Sequence, residues 1–245
     1  MRIIVNADDL GLSPEVNERI FDLMAQRRLT SATILANAPH WAEAVRRIPQ
    51  FPYCSFGVHL NLTQFRPLTD AAALRPFLDE SGQFSLPLFR ATRLTAALRR
   101  AVYQEWSAQI NRLQAAGLRI SHLDSHHDVH VRLPLFWTLK RLQRTLGIRK
   151  VRLAENLLAA GQPPPRRTVL WNLAVRLVPP SRTTDGFGQF AALFQAPPHR
   201  LASWRSLELM AHPAHPHFAA ETALLETSWW TGLPFPVQLI SYLEL

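Results

Sequence analysis

The sequence predicts an α/β fold with a predominantly parallel sheet, and three observations carry that prediction. Short apolar runs alternate with segments of helical period about ten residues or longer, the pattern of consecutive βαβ units. The chain has 245 residues, a length that α/β barrels reach as one unit, and neither proline-rich stretch is long enough to serve as an interdomain linker. Acidic and imidazole side chains recur at the carboxyl ends of the apolar runs, where a parallel barrel gathers its functional groups. One domain covering 1–245 is expected.

The elements follow in order. A first strand runs from Arg2 to Asn6 and breaks at the acidic pair Asp8-Asp9. Ser13-Pro14-Glu15 reads as N-cap, first helical position and first-turn acid, and Val16, Ile20, Leu23 and Met24 carry a helix to about Arg27. A second strand is expected from Ser31 to Ala36, a helix from Trp41 to Ile48, and a third strand from Ser55 to Leu60. Pro, Asp, Ser and Gly dissolve the pattern from Gln64 to Pro87, which reads as a long loop. A long helix, Leu94 to Ala116, precedes the strand-like "LRISHLDS". Further helices are expected at Pro134–Leu146 and Val169–Val178. "RKVRLAE", "SLELMAHP" and "PVQLISYLEL" are further strands, and "SRTTDGFG" is a loop or short strand.

Composition excludes several classes. A single cysteine, Cys54, rules out an intramolecular disulfide framework. The three apolar residues after Arg2 are too few for a signal peptide, and no run approaches membrane-spanning length. A cytoplasmic protein without stable membrane insertion is expected. The net charge is +9, and 25 of the 27 basic residues are arginine, scattered with local doublets such as Arg46-Arg47 and Arg166-Arg167. No aromatic residues alternate with them as a single-strand groove requires, so no nucleic-acid partner is expected; a homodimer is left open.

The polar residues at strand ends carry the chemistry. Period-2 alternation aligns His59, Asn61 and Thr63 in "GVHLNLT", and His122, Asp124 and His126 in "ISHLDSH". One carboxylate oxygen with two imidazoles holds a divalent ion and leaves positions for water and substrate, which selects Asp9, His59 and His126 as ligands. Asp8, directed the other way by alternation, is expected beside the water as general base. Plainer readings exist for each component: an acidic pair after a strand is usually a turn or cap, and a lone histidine is usually a hydrogen-bonded one. Three histidines within the five residues of "HHDVH" are harder to explain as surface loop.

The segments "VNADDLGLS" (5–13), "TSATILAN" (30–37), "GVHLNLT" (57–63), "HLDSHHDVH" (122–130), "TTDGF" (183–187) and "LELMAHPA" (207–214) together resemble the YdjC/ChbG-like carbohydrate deacetylases, in that family's order. The resemblance implies a distorted (β/α) TIM-like barrel of the glycoside hydrolase/deacetylase type. It also implies one divalent metal ion and hydrolysis of the N-acetyl group of an amino sugar to acetate and a free amine. Carried over, Asp8 takes the base, Asp9, His59 and His126 the metal site, and His212 the acid that protonates the leaving amine. Asn37, Asn61, Asp124, Asp128, His130, Arg152 and Asp185 fill out the expected substrate-contacting or supporting set. Asp128 stands where family members commonly have a third consecutive histidine, so a ligand role is not expected of it. Two imidazoles favour Zn2+ by ligand softness, whereas the resemblance implies Mg2+ in some members. Two alternatives stand beside this reading: a metal-dependent hydrolase of another bond, phosphoester or amide, and a non-catalytic basic binding module.

Overall fold

The computed structural model describes residues 1–158, 162–201 and 203–245. Its strands are β1 (Arg2–Leu10), β2 (Ser31–Ile34), β3 (Ser55–Leu60), β4 (His122–Ser125), β5 (Lys150–Val151), β6 (Gly186–Gln189), β7 (Ser206–Ala211) and β8 (Gln238–Leu239). They form one sheet in the order β5-β4-β3-β2-β1-β7-β6, every neighbouring pair parallel, with β8 beside Arg2 and Ile3 of β1. Ile3, Ile4 and Val5 are buried, as expected of a parallel strand covered on both faces. The outer edges approach each other, and isolated parallel bridges join Lys150 to Arg182 and Leu157 to Gly188. The result is a curled, distorted barrel with one seam stitched rather than fully paired. Gly188 permits that seam, because a Cβ there would sit 2.5 Å from the Leu157 carbonyl oxygen.

Helices cover the outside: α1 (Pro14–Ala25), α2 (Trp41–Arg47), α3 (Ala71–Leu74), α4 (Leu86–Ala91), α5 (Ala96–Ala115), α6 (Phe136–Leu146), α7 (Arg166–Leu177), α8 (Pro198–Leu201) and α9 (Ala219–Leu225). Ser13 caps α1 by accepting from the Val16 N–H, with Pro14 in the first turn. Thr95 does the same for α5 through the Leu98 N–H, and Gly147 ends α6 in the left-handed region. No helix among the described residues is long and apolar enough to cross a membrane.

Three expectations change. The 64–87 stretch is not a plain loop. It holds α3 and the start of α4, because buried Glu105 on α5 accepts from the Leu68 and Thr69 N–H groups while Leu74, Phe77 and Phe84 enter the core. The strand expected over 149–155 is paired only at Lys150–Val151. Beyond it the chain turns toward β6, where Asn156 and Leu157 donate to the Phe187 carbonyl. The C-terminal strand is also short. After β8 a turn folds Tyr242 back under the barrel, where its ring stacks on His122 at 3.6 Å and its hydroxyl donates to Glu208.

His122 thus belongs to the floor of the barrel, and burial pushes its pKa down to about 3, so it stays neutral. Its ring lies over Gly57, where an added Cβ would come within 2.6 Å of Cε1. A Gly57→Ala substitution should therefore destabilise the fold by about 1–3 kcal/mol through overpacking, read as a lowered denaturation midpoint.

Candidate active site

The mouth of the barrel begins with a defect in β1. Ala7 pairs with Ala32 and Leu10 with Ile34, so β1 carries one residue more than β2 over the same stretch. This bulge puts Asp9 at φ 67°, a left-handed conformation that aspartate tolerates better than most residues. Strict alternation would point Asp8 and Asp9 in opposite directions, as the sequence suggested. The bulge corrects that expectation: both carboxylates enter one cavity of about 250 Å3, together with His59, His126, Asp128 and His212.

Asp9, His59 and His126 each present a ligand atom within 4.8 Å of the others. Asp9 Oδ1 lies 2.8 Å from His126 Nδ1 and 3.3 Å from His59 Nε2. Nevertheless that oxygen has no hydrogen-bond partner among the described residues, although it is buried. A buried carboxylate oxygen this close to two ring nitrogens, without hydrogen-bond geometry to either, leaves the three groups able to share one cation. Two ligands each about 2.1 Å from one ion are roughly 3 Å apart at a right angle, so the spacing suits a divalent cation. Burial opposes ionisation of Asp9, but the neighbouring His126 and His59 hold its carboxyl well below the ordinary range.

The remote nitrogen of each imidazole is also held. His59 Nδ1 lies 2.8 Å from Asp124 Oδ1, the carboxylate–histidine arrangement that orients a ligand ring. Burial disfavours the His59 cation, yet Asp124 and Asp8 raise its pKa well above the ordinary value. His126 Nε2 meets Gln64 Oε1 at 3.0 Å. Gln64 is placed by its carbonyl oxygen, which accepts from Asn37 and from Asn61, themselves joined at 3.0 Å. Asn37 and Asn61 therefore shape the loop that supports His126.

Beneath this layer lies Arg152, fully buried and bonded to three carboxylates. It donates through two nitrogens to Asp8, at 2.7 Å each, and through Nε to Glu208 at 2.8 Å; its Nη1 lies 3.0 Å from Asp124. Burial opposes ionisation of Asp124, but Arg152 and His59 hold its pKa below the ordinary range. Asp8, His59 and Asp124 form a second group with ligand-like spacing, but Arg152 already supplies its positive charge. The unpartnered oxygen is on Asp9, so the first group fits an ion better. Asp8 Oδ1 accepts from Arg152 and from Asn6, and Oδ2 from Arg152, so one lone pair of Oδ2 remains, 3.9 Å from His59 Nε2.

His212 enters from the end of β7. Its ring stacks on Phe218 at 4.5 Å, and its buried Nδ1 has no partner among the described residues. Burial lowers its pKa, partly offset by Asp8 and Asp9. Asp128 lines the cavity, and desolvation raises its pKa to about 6. His127 and Asp128 both hold positive φ, 52° and 55°.

Two expected residues stand elsewhere. His130 is fully buried below the cavity, with Nδ1 on Ser125 Oγ and Nε2 3.2 Å from the Arg152 carbonyl, and burial drops its pKa to about 4. It supports the Arg152 backbone. Asp185 lies at the opposite end of the sheet, accepting from the Arg205 and Ser206 N–H groups at the start of β7. Five residues of strand, about 17 Å, separate that end from the mouth, so Asp185 cannot touch a ligand there. Its motif aspartate ties two strand starts together.

The sequence reading missed Gln64, Thr33 and Glu208. Thr33 Oγ1 donates to Asp124 Oδ2 at 2.8 Å. Glu208 had a visible signal: it is an acid inside the apolar run "LELMA", on the same alternation as His212. Gln64 sits in a loop without periodicity and had none. Trp41, Trp229 and Trp230, large aromatic side chains of the kind that stack on sugar rings, do not line the cavity.

Residues 2–231 match the model of the family described as YdjC-like protein. The chain is 33% identical over 216 residues to a carbohydrate deacetylase of Geobacillus stearothermophilus, covering 86% of this chain and 79% of that one. A carbohydrate deacetylase of Halalkalibacterium halodurans is 37% identical over 144 residues, 58% of this chain and 60% of its own length. In fold, the chain is similar to the crystal structure of an Enterococcus faecalis V583 protein proposed to cleave cellobiose-phosphate. That likeness has a TM-score of 0.79 at 24% identity and covers 99% and 98% of the two chains.

Removing the buried cation should be costly whatever the chemistry. Arg152→Met leaves Asp8, Asp124 and Glu208 uncompensated and should destabilise the protein by about 3–5 kcal/mol at neutral pH, measured by denaturant unfolding.

Proposed function

Because the chain belongs to the YdjC-like family, we propose that it is a carbohydrate deacetylase acting as a metal-dependent hydrolase within one domain, removing the N-acetyl group of an N-acetylglucosamine-type sugar. The observation that carries this reading is the convergence of the Asp9, His59 and His126 ligand atoms with Asp8 and His212 in a single cavity. Asp9, His59 and His126 would hold the ion, Mg2+ or Zn2+. When bound there, a divalent cation supplies Lewis acidity toward the amide carbonyl and an attacking water.

The chain's own groups supply the proton transfers. Asp8, fixed by Arg152 and Asn6, takes a proton on the free lone pair of Oδ2 as water adds to the acetyl carbon. His212 delivers a proton to the sugar nitrogen as the C–N bond breaks, giving acetate and an amine. Burial favours the neutral ring, and its unpartnered Nδ1 is where it takes up from solvent the proton it donates; the proton held by Asp8 passes to solvent as acetate leaves, restoring both groups. A cavity of about 250 Å3 suits one sugar unit, with any remaining glycan outside. Asp128, at the cavity wall, is a candidate contact for that unit. Phosphoester cleavage with two metals is less well supported, since Arg152 occupies the charge position of the second group.

Metal-loaded protein incubated with N-acetylated mono-, di- and lipid-linked sugars should release acetate, and chelation should stop it reversibly. Asp8→Asn should lower turnover by about 10²–10⁴-fold with metal still bound, whereas His59→Ala should lose the metal. Full activity in metal-replete Asp8→Asn would remove Asp8 from the mechanism. Gln64→Ala should weaken metal binding by roughly 10–100-fold, read by competition with a chromophoric chelator.

A further inference from the structure

The solvent side of α7 is unusually apolar. Val169, Leu170, Leu173 and Leu177 are all at least half exposed, Leu177 at 70%. At 3.6 residues per turn they fall inside one arc of about 100°. The opposite face of the same helix buries Trp171 and Val175 in the core. A helix apolar on both faces needs a second apolar environment. On the buried side Phe136 of α6 packs edge-on against Trp171 at 5.3 Å, so α6 adjoins α7; α6 begins beside exposed Leu133 (73%) and carries exposed Trp137 (65%).

Charge identifies the partner. From 129 to 205 the chain has thirteen arginines and lysines against two acids, Glu155 and Asp185, so this sector carries more positive charge than the whole protein's +9. Among the described residues, only Arg152 of the thirteen is in an ion pair. Arg166 and Arg167 open α7 directly above the leucine stripe, and Arg141 and Arg144 lie on α6. A second copy of the chain meeting this face would set like charges against each other. A nucleic acid would leave the four aliphatic side chains of α7 without stacking partners, Trp137 being the one exposed aromatic among the described residues of α6 and α7. A helix of 12 residues is too short to span a bilayer.

We infer that the α6–α7 face docks peripherally on an anionic lipid bilayer, its leucines entering the acyl boundary and its arginines meeting headgroup phosphates. The full chain should float with phosphatidylcholine vesicles containing about 30 mol % phosphatidylglycerol near 0.1 M salt, and release at about 0.5 M. Leu170→Gln/Leu173→Gln and Arg166→Gln/Arg167→Gln should each weaken that binding by about tenfold or more. These side chains are exposed, so unchanged thermal unfolding verifies that both variants fold. Absence of binding to the anionic vesicles, or binding undiminished in the leucine variant, would overturn the inference. A dimer in light scattering that the leucine variant splits would assign the face to a second copy instead. Binding of single-stranded RNA without vesicle binding would also refute the bilayer.

Discussion

A single buried guanidinium organises the centre of this barrel. Arg152 is the partner of Asp8, Asp124 and Glu208, three carboxylates on three different strands. A buried charge is tolerated only when it is paired and hydrogen-bonded, so removing any member leaves the others exposed to the full desolvation cost. The same bonds fix geometry. Through Asp8 the network sets one lone pair toward the cavity; through Asp124 it orients the ring of His59; through Glu208 it holds Tyr242, which in turn stacks on His122 at the floor. Mouth and floor therefore form one electrostatic unit.

Three residues around the cavity hold left-handed backbone: Asp9, His127 and Asp128. Such conformations cost of order 1–3 kcal/mol each outside glycine and persist where the surroundings over-determine them. Here the surroundings are specific. The extra residue of the β1 bulge turns Asp9 inward beside Asp8, and Thr63 Oγ1 meets His127 Nδ1 at 2.9 Å, pinning the turn after His126. Regular strands would have delivered the same residues to different faces.

The molecule also divides its charge. The acids that matter most are buried around Arg152 or in the cavity. Arg141, Arg144, Arg166 and Arg167 instead lie exposed on the outer surface of α6 and α7. The cavity and the outer face of α6 and α7 thus lie in different parts of the fold, and neither reading depends on the other.

Much was determined by the sequence itself. Parallel βαβ architecture follows from alternating apolar runs and helical segments, and strand-end placement of Asp8, Asp9, His59, His126 and His212 follows from where those runs stop, because both are local properties of periodicity. What local pattern could not carry was long-range. The direction of Asp9 depended on a bulge that only pairing with β2 reveals. Asp185 sits in a motif yet serves the far end of the sheet, and Gln64 emerges from an aperiodic loop to hold His126. Arg152 had no sequence signal as the hub of three carboxylates. Its partners lie 144, 28 and 56 residues away, and only closure of the barrel brings charges so distant along the chain into the low-dielectric interior where they must pair.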